Sequence, residues 1–190
     1  MENNKQNNPT PPSGGRGANI FAIPGSLRAG SSNHKVLKFI GSLLPADISY
    51  HIYDDLATIP PFDPGLDDDT PPEPVTALRQ AITNAGAVII CTPEYAFGIP
   101  GQLKNALDWM VSSASFSGKP TALVTASTGG ENAHAALLKV LGAIDCNIME
   151  GGTLLIPYIR SKMDADGSIT DSDVESSLKN LTYKLLKAIA

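Results

Sequence analysis

A series of short, unbroken apolar runs, separated by segments with helical spacing, most constrains how this chain can fold. Residues 20–23 read IFAI, residues 87–91 read AVIIC and residues 121–126 read TALVTA. A strand with one solvent-facing side alternates apolar and polar residues, whereas a strand buried on both faces reads as a continuous apolar run. These runs therefore predict a parallel sheet covered by helices on both faces, which is a three-layer α/β sandwich.

The alternation of strand and helix continues along the chain and predicts five strand–helix units. The predicted elements are, in order, strand 20–23, helix 36–44, strand 48–53, helix 75–84, strand 87–91, helix 101–113, strand 121–126, helix 133–144, strand 152–156 and helix 171–189. Two doubly wound plans suit five parallel strands, the order 2-1-3-4-5 and half of a dinucleotide-binding sheet. Both plans bind ligands beyond the carboxyl ends of the strands, so a site is expected in the loops after residues 23, 91 and 126.

Composition separates the chain into a tail and one domain. Residues 1–18 are rich in Asn, Pro, Gly and Ser and carry little apolar surface with which to offset the entropy of ordering. They are predicted to be a disordered tail. The rest of the 190-residue chain, residues 19–190, is long enough for one core and too short for two ordinary domains.

Charge and hydropathy exclude several classes of partner. The net charge is -5, without the basic face that a nucleic-acid backbone requires, so no nucleic-acid partner is expected. No apolar run approaches the roughly 18 residues needed to span a bilayer, and the first residues lack the apolar core of a signal peptide. The sequence therefore predicts a cytoplasmic protein with no membrane partner.

The residue types that most often bind metals do not occur at ligand spacing. Cys91 and Cys146 end apolar runs, as buried free thiols do, and the three histidines lie far apart. Asp67, Asp68 and Asp69 are consecutive, so their side chains diverge, and a solvated loop is the better interpretation. Neither a metal nor a disulfide is predicted.

The loop after the first predicted strand offers several groups that bind anions. Its hydroxyl, amide and guanidinium donors belong to Ser26, Arg28, Ser31, Ser32 and Asn33. A predicted helix begins directly afterwards, and its free N–H groups add to these donors. The loop matches neither the Gly-x-Gly-x-x-Gly fingerprint of dinucleotide-binding domains nor a Walker loop. A single phosphate monoester is therefore the predicted ligand, and an ordinary Ser/Asn helix cap is the alternative.

Two prolines and two glycines stiffen the loop that follows residue 91, which also carries Tyr95 and Phe97. Aromatic side chains at the end of a strand suit a flat ring that stacks on the loop. The alternative is that these aromatic side chains simply pack into the core.

The loop after residue 126 reads STGGEN and leads into a predicted helix. Backbone N–H groups at the start of a helix favour negative charge, including charge that develops on a bound ligand. A Gly-rich turn that merely joins strand to helix is an equally good interpretation of this loop alone.

Taken together, the loops resemble those of a known family. The residues that carry the resemblance are GSLR at 25–28 with Ser31 and Asn33, TPEY at 92–95, IPG at 99–101 and LKNALDW at 103–109. They are similar to the motifs of the NADPH-dependent FMN reductase family, which also includes chromate, quinone and azo-dye reductases. The resemblance extends from about residue 19 to the C-terminus, and it implies a flavodoxin-like fold with the sheet order 2-1-3-4-5.

The resemblance also assigns roles to the three loops. The first would bind the FMN phosphate through Ser26, Arg28, Ser31 and Asn33, with Ser32 beside them. The second would hold the isoalloxazine ring through Pro93, Glu94 and Tyr95, next to Ala96, where members commonly carry Asn. The third would contact the pyrimidine edge of the ring through Ser127, Thr128, Gly129 and Gly130. Residues 131–134 replace a Gly pair and an Arg that members often carry, a difference that concerns how the nicotinamide nucleotide docks.

Members of this family transfer a hydride from NADPH or NADH to FMN, which then passes electrons to a small acceptor such as a flavin, a quinone, an azo compound or chromate. The flavin performs this chemistry, so no catalytic side chain is predicted. The main alternative is a flavodoxin-like electron carrier that does not oxidise NAD(P)H, and a flavin-free scaffold or regulator is the second. The resemblance also implies a homodimer or a dimer of dimers through the helix that bears Trp109 and Met110, although core packing is an equally good role for both residues.

Overall fold

The computed structural model describes residues 19–190, so the tail predicted at 1–18 lies outside the described residues. The strands are β1 (Asn19–Pro24), β2 (Ser49–Ile52), β3 (Ala87–Thr92), β4 (Pro120–Ala126) and β5 (Asn147–Ile156). The helices are α1 (Ser32–Ser42), α2 (Glu73–Asn84), α3 (Gly101–Asp108), α4 (Glu131–Ala143) and α5 (Ser172–Ala188). Strand and helix alternate along the chain as the apolar pattern predicts.

The five strands form one parallel sheet in the order β2-β1-β3-β4-β5. Every residue of β3 is buried, and β4 is buried except at its first residue, which is why both strands read as continuous apolar runs. Helices α1 and α5 cover one face of the sheet, and α2, α3 and α4 cover the other. The predicted three-layer sandwich and its strand order are therefore confirmed.

The chain reverses its winding between β1 and β3. Strand β1 leads into α1 on one face of the sheet and β3 leads into α3 on the opposite face, so the loops after these neighbouring strands diverge. A crevice opens at such a switch point, beyond the carboxyl ends of the strands. The loops that carry the predicted site thus emerge where α/β sheets bind ligands.

Helix α3 ends at Asp108, earlier than predicted. The guanidinium of Arg79 donates from Nε to the carbonyl oxygen of Trp109 at 3.2 Å and so occupies the acceptor that a longer helix would use. Arg79 also donates to Asp67 Oδ1 at 2.6 Å, and the hydroxyl of Ser112 donates to the same oxygen at 2.7 Å.

Asp67 is part of this hydrogen-bond network, and its side chain is only 9% exposed. The prediction that Asp67 lies in a solvated acidic loop is therefore wrong.

Trp109 and Met110 are both buried, so the interface role predicted for them is wrong. Trp109 packs edge-on against Phe62, with ring centroids 5.0 Å apart, and its Nε1 donates to the carbonyl oxygen of Pro60 at 2.9 Å. The segment between β2 and α2 folds over these side chains, and helical spacing alone could not reveal that cover. The next residue, Val111, is 63% exposed.

Strand β5 begins at Asn147, earlier than the predicted start at Gly152. Its first residues are only partly buried because β5 lies at the edge of the sheet. The pairing with β4 shifts register between Thr121 and Leu123, so the regular apolar pattern of β5 begins only after this irregularity.

Candidate active site

Three loops meet beyond the carboxyl ends of the central strands: loop 1 (25–31) after β1, loop 2 (93–100) after β3 and loop 3 (127–130) after β4. Loop 1 lies against the end of β3, where the N–H of Gly25 donates to the carbonyl oxygen of Cys91 at 2.8 Å. A side chain at Gly25 would place its Cβ 2.3 Å from Oγ1 of Thr92, so only glycine allows this approach. The predicted site residues of all three loops therefore share one edge of the sheet.

The serines of loop 1 are held by hydrogen bonds at their oxygens. Ser26 Oγ accepts from the backbone N–H of Arg28 and lies 3.3 Å from the hydroxyl of Tyr95, which joins loop 1 to loop 2. Ser31 caps α1, because its Oγ accepts from the N–H of His34 at 3.2 Å. The helix-cap interpretation is therefore correct for Ser31. Since the oxygen acts as the acceptor, the hydroxyl hydrogen stays free to donate to an anion.

Asn33 connects loop 1 to the neighbouring strand. Its Nδ2 donates to the carbonyl oxygen of Ala126 at 2.9 Å, which joins the start of α1 to the end of β4. The sequence predicted an amide donor for a phosphate here, and the structure uses one amide hydrogen for the backbone instead. Asn33 Oδ1 is buried and has no hydrogen-bond partner among residues 19–190. A buried acceptor without a partner is costly unless a ligand supplies the donor.

Arg28 and Ser32 lie on the open side of loop 1. Arg28 is exposed, and its guanidinium forms no ion pair with any described residue. Ser32 is the first residue of α1, where the backbone N–H groups have no acceptor within the helix. A free guanidinium beside a helix N-terminus is a favourable place for a phosphate.

A two-residue turn shapes the tip of loop 2. Tyr95 and Gly98 exchange backbone hydrogen bonds of 3.1 and 2.9 Å, and the residues between them, Ala96 and Phe97, have φ angles of 48° and 59°. This geometry suits Asn and Gly, so both of these side chains are held in a strained backbone. Tyr95 is 55% exposed and Phe97 is 82% exposed, which excludes the alternative that both pack into the core. Pro93, at the base of the loop, is buried.

Glu94 fastens loop 2 to loop 3. Its backbone N–H donates to Ser127 Oγ at 3.1 Å. Its Oε2 accepts from the N–H of Ala133, in the first turn of α4, at 2.8 Å. A Cβ at Gly129 would lie 3.6 Å from Oε1, so loop 3 passes directly beside the carboxylate. The helix N-terminus that the sequence suggested for a ligand's negative charge thus carries the chain's own carboxylate.

Loop 3 also contacts the segment after β5. Gly130 ends the loop with a φ of 125°, and a Cβ there would lie 2.9 Å from Leu155 Cδ1, so glycine is required. Thr128 is exposed, and its carbonyl oxygen accepts from the N–H of Tyr158 at 3.2 Å. Tyr158 is 65% exposed with a φ of 54°. Sequence reasoning missed Tyr158, although its place just after the fifth strand puts it at the same edge of the sheet.

Two ionisable side chains near the loops are turned inward. His134 Nδ1 lies 2.9 Å from Oγ1 of Thr125, and burial lowers the pKa of this histidine. Burial raises the pKa of the Cys91 thiol, which lies beneath loop 1. The ring of His134 is therefore bound to Thr125 of β4, and Cys91 is an inert thiol.

The described residues hold no group of three or more His, Cys, Asp or Glu side chains that could bind a metal ion. Between residues 19 and 190, the structure also has no helix with the length and apolar character needed to cross a membrane.

The sequence and the structure are similar to those of known flavin enzymes. The family model for NADPH-dependent FMN reductases matches residues 18–160. The chain is 33% identical to a 2-hydroxy-1,4-benzoquinone reductase of Burkholderia sp over 171 residues, which cover 87% of this chain and 92% of the relative. It is 31% identical to a quinone reductase of Escherichia coli strain K12 over 173 residues, which cover 87% and 90%. The structure is similar to that of FerB, a flavoenzyme NAD(P)H:(acceptor) oxidoreductase from Paracoccus denitrificans, with a TM-score of 0.72, 30% identity and coverage of 90% and 97%.

These similarities agree with the composition of the three loops. They confirm the family that the sequence motifs indicated, and with it an oxidoreductase that uses FMN as cofactor and NAD(P)H as electron donor. Because the family model covers most of the chain and relatives exceed 30% identity over most of their length, this chain belongs to the NADPH-dependent FMN reductase family.

Proposed function

We propose that this protein holds FMN across loops 1, 2 and 3, reduces it with NAD(P)H and passes the electrons to a quinone-type acceptor. The observation that carries the proposal is the meeting of an anion-binding loop, an exposed aromatic turn and a glycine-rich loop at the switch point of the sheet. FMN combines one terminal phosphate with one planar ring, and these loops suit one part each.

The donors of loop 1 fit a phosphate monoester. Ser31 keeps a free hydroxyl hydrogen, Arg28 has no carboxylate partner among the described residues, and α1 begins at Ser32. The unpaired Oδ1 of Asn33 is an acceptor, which a hydroxyl of the ribityl chain can satisfy and an ionised phosphate cannot. We therefore assign Asn33 to the ribityl part of FMN. Its phosphate is assigned to Arg28, Ser31 and Ser32.

Loops 2 and 3 are proposed to flank the ring. Tyr95 is tied to loop 1 through Ser26, and the carboxylate of Glu94 holds loop 3 against loop 2, so the three loops form one support. When bound, FMN supplies the chemistry, because its ring accepts a hydride from the nucleotide and then gives two electrons to the acceptor. The protein's own groups bind and orient, and we assign no proton transfer to a side chain.

A quinone is the acceptor that the surroundings of the loops favour. Tyr95, Phe97 and Tyr158 are exposed at this edge of the sheet and offer aromatic surface on which a flat molecule can stack. The relatives named as quinone reductases support the same choice. A flavin, an azo compound and chromate are the other acceptors to be compared with it.

Flavin content and reduction by nucleotide test this proposal. The purified chain should be yellow and release FMN, not FAD, on denaturation. Mixed anaerobically with NADPH or NADH, the bound flavin should lose its absorbance, and added benzoquinone should restore it. A colourless protein that cannot be reconstituted with FMN would reject the site. If neither nucleotide changed the absorbance while dithionite did, the chain would be the electron carrier, and the FMN site would stand.

We also infer a homodimer or a dimer of dimers. Leu66 and Val111 are exposed apolar side chains, and they lie in adjacent surface segments because their chain neighbours Asp67 and Ser112 are hydrogen-bonded to each other. They are better candidates for a subunit contact than the buried Trp109. Val111→Glu should reduce the sedimentation coefficient of the protein. A monomer in the unaltered chain at micromolar concentration would reject the assembly.

A cytoplasmic location is inferred with this function. Both cysteines are free thiols, as is usual in a reducing compartment, and cellular NAD(P)H is used there. Fractionation of cells that express the full chain is the direct measurement.

A further inference from the structure

A cleft of about 260 Å³ lies between the start of α1 and the segment that follows β5. Its charged and polar lining consists of Arg28, Ser32, Lys35, Arg160 and Asp164. Pockets that enclose a whole ligand measure roughly 300–1,000 Å³. The cleft therefore suits one group of a ligand and not a complete ring system.

Three cationic side chains converge on this cleft, although the net charge of the chain is -5. Arg28 and Arg160 are exposed and form no ion pair within the described part of the chain. Lys35 is only half-buried, and its stem lies across Gly167, where a Cβ would come within 2.2 Å of its Cδ. Two guanidinium groups without a carboxylate partner thus line the same small space.

The carboxylate that lines the cleft, Asp164, forms no ion pair with either guanidinium group. Asp164 Oδ1 accepts from the N–H of Gly167 at 2.9 Å and from the N–H of Ser168 at 2.7 Å. Asp164 is therefore held within its own turn. The three cationic side chains outnumber this one carboxylate, so the cleft carries net positive charge and an anion is the expected occupant.

We infer that Arg160, together with Arg28, forms a subsite for a phosphate monoester. The planar fork of a guanidinium matches the oxygens of a phosphate, and the N-terminus of α1 adds backbone donors. This inference rests on the proposed function, and the motifs of the three loops do not include Arg160. Two ligands of the proposed reaction carry a phosphate monoester. FMN carries it at the 5′ position, and NADPH carries it at the 2′ position.

The test compares Arg160→Gln with a matched control, Lys139→Gln. The control removes an equal charge from an exposed position on α4, which covers the opposite face of the sheet. The full chain freed of flavin is titrated with FMN and with riboflavin, which lacks the phosphate. The chain, with and without flavin, is titrated with 2′,5′-ADP and with 5′-AMP, which lacks the 2′-phosphate.

If the cleft binds the FMN phosphate, Arg160→Gln should raise the Kd of FMN roughly tenfold and leave the Kd of riboflavin unchanged. If it binds the 2′-phosphate of NADPH, the Kd of 2′,5′-ADP should rise by a similar factor while the Kd of 5′-AMP stays unchanged. In that case the KM for NADPH should also rise, and the KM for NADH should not. Either pattern supports the subsite and identifies the source of the phosphate.

The inference is overturned if Arg160→Gln and Lys139→Gln bind all four probes equally well. It is also overturned if Arg160→Gln weakens FMN and riboflavin by the same factor, because that result shows a structural role and no contact with a phosphate. Failure of the unaltered chain to bind either flavin would reject the proposed function instead. The titration with 2′,5′-ADP would still show whether the cleft binds a phosphate monoester.

Discussion

The carboxylate of Glu94 accepts a hydrogen bond from the backbone N–H of Ala133 at 2.8 Å, and this bond fastens loop 2 to the first turn of α4. The same residue donates its own N–H to Ser127 Oγ in loop 3. Two of the loops proposed to surround the flavin ring are therefore held together by one residue. Its carboxylate also lies at the N-terminal end of α4, where a negatively charged side chain stabilises a helix.

Glu94→Ala should destabilise the protein. Loss of a side-chain acceptor at a helix N-terminus corresponds to about 0.5–2 kcal/mol in the free energy of unfolding. Glu94→Gln should lose less, since its amide oxygen can still accept from Ala133. Urea unfolding of the full chain measures both. Glu150→Ala is the control, because Glu150 is exposed and forms no hydrogen bond among the described side chains. A Glu94→Ala midpoint equal to that of the control would contradict the proposed link.

Ala96→Gly should stabilise the turn of loop 2. The left-handed conformation costs roughly 1–2 kcal/mol for a residue with a Cβ, and part of the gain is offset by the greater entropy of glycine in the unfolded chain. We expect a net gain of about 0.5–1 kcal/mol in the free energy of unfolding. Ala29→Gly is the control, because Ala29 is exposed and has no positive φ. Ala29→Gly should not increase the free energy of unfolding. An increase of equal size would show that strain at Ala96 is not the cause of the stabilisation.

Trp109→Phe should lower stability without changing assembly. The variant loses the hydrogen bond from Nε1 to Pro60 and leaves a void beside Phe62, together about 1–3 kcal/mol. The carbonyl oxygen of Pro60 stays satisfied, because Nδ2 of Asn105 also donates to it at 2.9 Å. Thermal unfolding and sedimentation velocity check both parts. If the variant changed the number of subunits and left the stability unchanged, Trp109 would be an interface residue and not a core residue.

His134 should make stability depend on pH. Burial lowers the pKa of His134 in the folded state below the value of about 6.5 in the unfolded chain. As pH falls below about 6.5, the unfolded state binds the proton first, so the free energy of unfolding should decrease towards the lower pKa of the folded state. His134→Gln should flatten this part of the profile. Urea unfolding at several pH values measures it, and an unchanged slope would show that another group is responsible.

Arg28→Ala should weaken the binding of FMN to the flavin-free chain. A hydrogen bond to a charged group is worth about 1.5–3 kcal/mol, and the exposure of Arg28 places the expected loss near the lower end. Arg28→Lys should show a smaller loss, because it keeps the charge and removes only the planar fork. Fluorescence titration with FMN measures both variants. If the Kd of FMN did not change in Arg28→Ala, Arg28 would not belong to the FMN site.

Local signals predicted most of the fold, and long-range contacts account for the errors. Strands β3 and β4 were visible because burial on both faces leaves an unbroken apolar run. The early end of α3 was not visible, since it depends on a bond between Arg79 and Trp109, which are 30 residues apart. The cover over Trp109 comes from residues 60–62, whose packing no helical periodicity encodes.

The sequence by itself determined the apolar runs of the sheet, the residue types in the three loops and, through their motifs, the family. These features follow from local periodicity and from the chemistry of single residues. Only the tertiary structure decided which donors and acceptors are already in use. Asn33 donates to Ala126 and keeps an unpaired oxygen, and Arg160 reaches the side of loop 1 from beyond β5, because such contacts depend on how distant segments pack.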